Sequence, residues 1–277
     1  KARGQQGATG TPPRAAAPEQ AHAGPGSVEE AWNALPPVTL DRQHLKNNRI
    51  IALDPVPEAT AFDVLRTRTL RHMQTNGWRR LAITSPTPSC GKSTLSLNIG
   101  LSLSRQQKIR TISIELDMRR SSHLRMLGIK KDKGPPGQTS EIARLLTGKA
   151  AFGDVALRVN DNLGLATSSV TQSDASDILL DDHIDQVLKD IETQYRPDLM
   201  IFDMSPVLVT DDTLAFMQHV DCALIVAAAE SSTIAEIDRC EREVATQTNV
   251  MGVVLNQCRL GSDAYNSEYD YRYGYGY

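Results

Sequence analysis

One ten-residue run limits this chain more than any other. Residues 85–94 read Ser-Pro-Thr-Pro-Ser-Cys-Gly-Lys-Ser-Thr. A short apolar run, Leu81 to Thr84, precedes it, and a helical pattern from Lys92 to about Gln106 follows. Strand, tight loop and a Gly-Lys-Ser that opens a helix form the physical recipe for holding phosphate. The backbone N–H groups of Ser89 to Ser93 are expected to point inward, where the helix N-terminus adds the positive end of its dipole. Lys92 then reaches β- and γ-phosphates, and the Ser93 hydroxyl binds Mg²⁺. Cys90, Gly91 and Thr94 complete the loop. Pro86 stands where the usual pattern has its first glycine. The assignment therefore rests on the strand before and the helix after, and the expected ligands are ATP and Mg²⁺.

The chain around this loop alternates strand and helix. Leu199 to Phe202, Ala223 to Ala227 and Val250 to Leu255 are short, nearly continuous apolar runs. Such runs mark strands buried on both faces, as in a parallel sheet. Arg110 to Leu116 and Asn162 to Ala166 read as further strands. Helices are expected over Pro57 to Asn76, stopped by Gly77, and over Ser140 to Thr147, Ile178 to Tyr195 and Ser231 to Thr246. The rhythm predicts an α/β fold: a doubly wound, mostly parallel sheet with helices on both faces and ligands at the carboxyl ends of its strands.

Two of those strand ends carry acid. Arg110–Leu116 delivers Glu115 and Asp117, and Leu199–Phe202 delivers Asp203. A carboxylate buried there is costly unless a cation or partner compensates it. Mg²⁺ takes such hard oxygen ligands, so Ser93, Asp117 and Asp203 form the expected metal set. The plainer reading is an ion pair with Arg119 or Arg120. Asn256, ending the last strand, is read either as a hydrogen-bond partner of an adenine edge or as a turn residue.

Residues 1–26 are rich in Gly, Ala, Pro and Gln and read as a disordered linker. Residues 27–52 read as a short helical lead-in, because Ser27-Val-Glu-Glu30 has capping-box spacing. The folded domain is placed at 53–260 and a flexible tail at 261–277. A net charge of −3 gives no global case for nucleic acid as a partner. Cys90, Cys222, Cys240 and Cys258 are widely spaced, which fits a reducing cytoplasmic setting better than disulfides or a metal. The six histidines show no ligand spacing. The longest uncharged apolar run, Cys222 to Ala229, falls far short of the ~20 residues that span a bilayer.

Six of the seven tyrosines lie in the last thirteen residues: Tyr265, Tyr269, Tyr271, Tyr273, Tyr275 and Tyr277. An edge strand with one aromatic face and a sticky low-complexity tail are the plain explanations. The third is a set of phosphate acceptors, each gaining ≈ −1.5 to −2 charge when modified. Beside a nucleotide site, the third leads.

Together these residues resemble the bacterial tyrosine kinases of polysaccharide export, over roughly residues 53–277. The family's phosphate loop falls on Ser85 to Ser93, its Asp-x-Asp-x-Arg motif on Glu115-Leu116-Asp117-Met118-Arg119, and its Asp-x-x-Pro motif on Asp203-Met204-Ser205-Pro206. The resemblance implies that Lys92 and Ser93 hold phosphates and Mg²⁺, that Asp117 and Asp203 organise the metal, and that Glu115 helps deprotonate a tyrosine. It implies autophosphorylation of the tail in the control of exopolysaccharide synthesis or export. The implied partners are a membrane polysaccharide co-polymerase that activates the kinase, either as a separate chain or as a segment upstream of this one, the chain's own tail in cis or in trans, and a cognate tyrosine phosphatase. The implied location is cytoplasmic, at the inner membrane face through that partner.

Ser89 replaces a glycine and Glu115 an aspartate. The family's ring-forming Glu-x-x-Arg-x-x-Arg helix motif aligns with Thr60, Asp63 and Arg66, and only the last position survives, so ring-type self-association is not expected. Arg66, Arg68 and Arg71 read as a solvated helix face. Two other functions compete: a switch ATPase of the partitioning or septum-positioning type, and a nucleotide-binding regulator without catalysis.

Overall fold

The computed structural model of the chain describes residues 27–130 and 141–258. The linker at 1–26 and the tyrosine tail therefore lie outside the described residues. Seven strands form one sheet: β1 (Arg80–Thr84), β2 (Thr111–Glu115), β3 (Ala156–Val159), β4 (Leu163–Ala166), β5 (Leu199–Asp203), β6 (Cys222–Ala228) and β7 (Asn249–Asn256), in the order β3-β4-β2-β5-β1-β6-β7. Every pairing is parallel except β3 with β4. The sheet is thus the doubly wound, mostly parallel one that the apolar runs predict.

Eleven helices accompany it among the described residues. They are α1 (Val28–Ala34), α2 (Arg42–Asn47), α3 (Thr60–Asn76), α4 (Lys92–Ser104), α5 (His123–Leu127), α6 (Glu141–Leu146), α7 (Phe152–Val155), α8 (Ala175–Leu179), α9 (Ile184–Tyr195), α10 (Asp212–Phe216) and α11 (Ile234–Ala245). Helix α3 stops at Gly77, whose φ of 68° is left-handed, as the sequence predicts.

The helices cover the sheet in two apolar layers. On one side α3 and α4 pack Met73, Leu95 and Ile99 against Leu81, Ile83 and Ile201. On the other, α6, α9 and α11 pack Ile142, Leu188 and Val244 against Ile112, Phe202 and Ile225. Strand β5 lies between β2 and β1, buried along its whole length. Its register places Asp203 beside Glu115 on one neighbour and Ile83 on the other. One carboxylate therefore ends the centre of the sheet.

Three details depart from the sequence reading. First, residues 27–52 are built into the domain. The Ser27–Glu30 capping box forms, Trp32, Leu35, Leu45 and Ile50 are buried, and Trp32 Nε1 donates to the Tyr195 carbonyl at 2.8 Å. Asn98, buried on α4, accepts from the Ile51 and Ala52 amides at 2.8 and 3.0 Å and donates to the Arg49 carbonyl at 3.0 Å. Local polarity hid these anchors, because each isolated apolar residue finds its partner far along the chain. Second, the stretch expected as one helix over Ile178–Tyr195 breaks into α8 and α9. Asp181 accepts from the His183 amide at 2.9 Å, a local side-chain bond that competes with helix continuation. Third, the antiparallel edge strand β3 escapes the reading, as Arg158 interrupts its apolar run and only its two end residues are buried.

The lead-in's place in the core is testable. Trp32→Ala is expected to lower unfolding free energy by about 3–5 kcal/mol, the usual range for emptying a buried aromatic site. Urea unfolding measures it, and an unchanged midpoint would mean that residues 27–52 do not belong to the cooperative unit.

Candidate functional site

The loop after β1 crosses to the opening of α4 with alternating backbone handedness. Ser89 has φ 66° and Gly91 φ 87°. Left-handed backbone is natural for glycine and costs other residues roughly 1–2 kcal/mol. Gly91 has a second reason to lack a side chain: a Cβ there would lie 2.2 Å from Asn256 Nδ2. Cys90 tucks inward, its thiol 3.2 Å from the Thr87 carbonyl. It is one of four cysteines that are all free.

Lys92 opens α4 and is buried. Its Nζ donates to Asp117 Oδ2 at 2.5 Å and lies 3.5 Å from Ser93 Oγ. Burial alone would push its pKa down, but Asp203 and Asp117 outweigh burial and hold the ammonium above its ordinary value. Asp203 is fully buried. Its Oδ2 meets His123 Nε2 at 2.9 Å, while its Oδ1 has no hydrogen-bond partner among the described residues. Burial pushes this carboxyl up, yet Lys92, His123 and Ser93 together bring it below the usual carboxylate range. His123 is pushed down by burial and raised further by Glu115 and Asp203, so it ends above its ordinary value. The histidine that sequence spacing left as a plain surface or core residue is a core residue, buried behind the cleft as the partner of Asp203.

The ion pair with Arg119 or Arg120 that is the plainer reading of these carboxylates does not form among the described residues. Arg119 instead grips the buried Asp212 with two bonds of 2.8 and 3.0 Å. Glu115 also departs from expectation. Its Oε1 accepts from the amides of Ser122 and His123 at 2.5 and 3.0 Å, and its Oε2 accepts from the Thr167 hydroxyl. Buried and bonded at both oxygens, it anchors the start of α5 and is not among the residues that line the cleft. Its extra methylene over aspartate serves that reach. Asn256 is likewise engaged: its Nδ2 donates to the Cys90 carbonyl at 2.9 Å.

A cleft of about 370 Å³ opens over the loop, bordered by Lys92, Asp117, Arg119, Arg120, Arg125 and Ser205. That volume is within the range of small-molecule sites. Arg120 and Arg125 have no carboxylate partner among the described residues. A cationic rim above a helix N-terminus suits a polyanion. A larger recess of about 500 Å³ lies between Trp78 and Pro197 at the amino-terminal ends of the strands. It lacks such a cradle and sits at the end where doubly wound sheets do not bind ligands.

The strain at Ser89 makes a prediction. Ser89→Gly is expected to raise unfolding free energy by about 0.5–1 kcal/mol, the left-handed penalty less the extra chain entropy of glycine. Equilibrium urea unfolding reads this directly, and a loss of stability would contradict the backbone assignment.

No family model matches the chain. It is 30% identical over 229 residues to a putative tyrosine-protein kinase, EpsB, of Ralstonia solanacearum, covering 80% of this chain and 29% of that protein. It therefore spans about three tenths of that relative's length. A shorter relative, the putative tyrosine-protein kinase CapB of Staphylococcus aureus, is 24% identical over 201 residues, covering 72% of this chain and 82% of CapB. Among solved structures, the VpsO kinase domain superposes with a TM-score of 0.61 at 24% identity, covering 73% of this chain and 96% of that one. Motif order, sequence similarity and fold agree, and all three liken the chain to the kinase domain of bacterial tyrosine kinases.

Proposed function

We propose that this chain binds MgATP and transfers the γ-phosphate to tyrosines of its own C-terminal tail, Tyr265 to Tyr277, in the control of exopolysaccharide synthesis or export. The observation that carries the reading is the phosphate loop itself, opening on a cleft lined by Lys92, its partner Asp117 and a rim of arginines, with Asp203 buried close enough to act on Lys92. The residues fit Mg²⁺: Ser93, Asp117 and Asp203 offer hard oxygens, and the buried Asp203 Oδ1 lacks a partner among the described residues. When bound, Mg²⁺ would neutralise charge on the phosphate oxygens.

The chain's own residues supply the rest. Loop amides orient the phosphates, Lys92 exchanges Asp117 for a phosphate oxygen, and the arginines of the rim stabilise charge. Phosphoryl transfer runs through a loose transition state in which positioning and charge stabilisation dominate. The engagement of Glu115 in three hydrogen bonds is therefore compatible with catalysis, although it removes that residue from the role of a free base. Activation by a membrane polysaccharide co-polymerase, reversal by a tyrosine phosphatase and a place at the inner membrane face complete the proposal. No helix among the described residues is long and apolar enough to cross a membrane.

Incubation with MgATP followed by phosphotyrosine mapping tests this. The expected result is phosphate on Tyr265–Tyr277, reduced at least 100-fold in Lys92→Met, an order of magnitude in keeping with loss of a phosphate-positioning charge. Phosphotyrosine persisting in Lys92→Met would refute the assignment. ATP hydrolysis without phosphotyrosine, even with the membrane partner added, would point to a switch ATPase.

A further inference from the structure

The phosphate loop is held from outside by two consecutive side chains at the end of β7. Asn256 Nδ2 donates to the Cys90 carbonyl at 2.9 Å, and Gln257 Nε2 donates to the Ser89 carbonyl at 2.8 Å. These are the only hydrogen bonds given to those two carbonyls among the described residues. A peptide group is planar and trans, so its C=O and N–H point in opposite directions. Fixing the Ser89 carbonyl outward aims the Cys90 amide inward, and fixing the Cys90 carbonyl does the same for the Gly91 amide.

Consecutive residues of a strand send their side chains to opposite faces. Here both reach the same loop because Gln257 leaves the strand with φ 60°, a left-handed conformation that a non-glycine residue keeps only when its surroundings hold it. The Asn256 carbonyl is itself fixed, accepting from the Ala229 amide at 2.8 Å. Asn256 also packs directly over Gly91, where a Cβ would meet it. Among the described residues β7 is the sheet's edge and pairs only with β6.

We infer that Asn256 and Gln257 are positioning residues that aim the Cys90 and Gly91 amides at bound phosphate, and so couple occupancy of the loop to the root of the C-terminal tail. The inference rests on the nucleotide-binding reading above. It assigns Asn256 a task at the phosphates, where the sequence left the adenine edge and a plain turn residue both open. The tail follows at once, since six of the seven tyrosines lie beyond Cys258.

Two isosteric variants, Asn256→Asp and Gln257→Glu, replace each donor by an acceptor facing a carbonyl. Two probes are used on the full chain with Mg²⁺: a fluorescent ADP, and inorganic tripolyphosphate as its competitor, which has no base. Loss of one such hydrogen bond is expected to weaken both probes about tenfold per variant. In the wild type, amide hydrogen exchange over residues 255–258 is expected to slow when either probe binds. The Gln257 side chain is exposed, and its variant is expected to keep the wild-type unfolding midpoint. Unchanged tripolyphosphate affinity in both variants overturns the inference while leaving nucleotide binding intact. So does a loss confined to ADP, which would assign Asn256 to the base. Exchange at 255–258 that is indifferent to ligand removes the coupling. Failure of the wild type to bind either probe would instead refute the nucleotide reading itself.

Discussion

Lys92 sits among three buried carboxylates, and the architecture of the site follows from that concentration of charge. Glu115, Asp117 and Asp203 all lie at the ends of adjacent strands, almost without solvent. Unpaired, any of them would cost several kcal/mol to bury. Each has found a different compensation. Asp117 takes the lysine, Asp203 takes His123, and Glu115 takes the amides at the start of α5 together with Thr167. The pairing is satisfied but exchangeable, because Lys92 lies at the wall of an open cleft. A phosphate that entered would offer Lys92 an equal partner and free Asp117 for a metal ion.

The sheet order makes this concentration possible. Placing β5 between β1 and β2 brings the phosphate loop, the Asp117 turn and Asp203 together at the carboxyl end of the sheet's central strands. A strand buried on both faces must be apolar along its length, and Leu199 to Phe202 obliges. The acid is tolerated only at the end, where a charge can meet α4. The same logic explains Asn98. A polar residue on a helix buried all round is kept because it satisfies backbone groups of residues 49–52 that have no strand to join.

Much of this was legible in the sequence because the signals were local. The apolar runs of β5, β6 and β7 showed buried parallel strands, Gly77 marked the end of α3, and Gly-Lys-Ser marked the start of α4. Lys92, Ser93, Asp117 and Asp203 were predicted as a group, and the fold brings them together. What the sequence hid was pairing across distance. Nothing near His123 announces Asp203, eighty residues on. Arg119 chose Asp212 over the nearer carboxylates because Asp212 is fully buried and geometrically open to two bonds. Glu115 was read as a base from its motif position, but its hydrogen bonds come from α5 and Thr167. Gln257 carried no sequence signal at all; its role depends on one left-handed residue after a strand. Trp32 was passed over because the apolar partners that bury it come from elsewhere in the chain. The tyrosine tail lies outside the described residues.

The proposed function turns on Lys92 being held by Asp117 until a phosphate takes it. A crystal structure of the chain with a non-hydrolysable MgATP analogue tests this most directly. It is expected to show the phosphates on the amides of residues 89–94, Lys92 Nζ moved from Asp117 to a phosphate oxygen, and the metal ion beside Ser93 and Asp203. A nucleotide bound elsewhere, or bound at the loop with the Lys92–Asp117 pair intact, would contradict it.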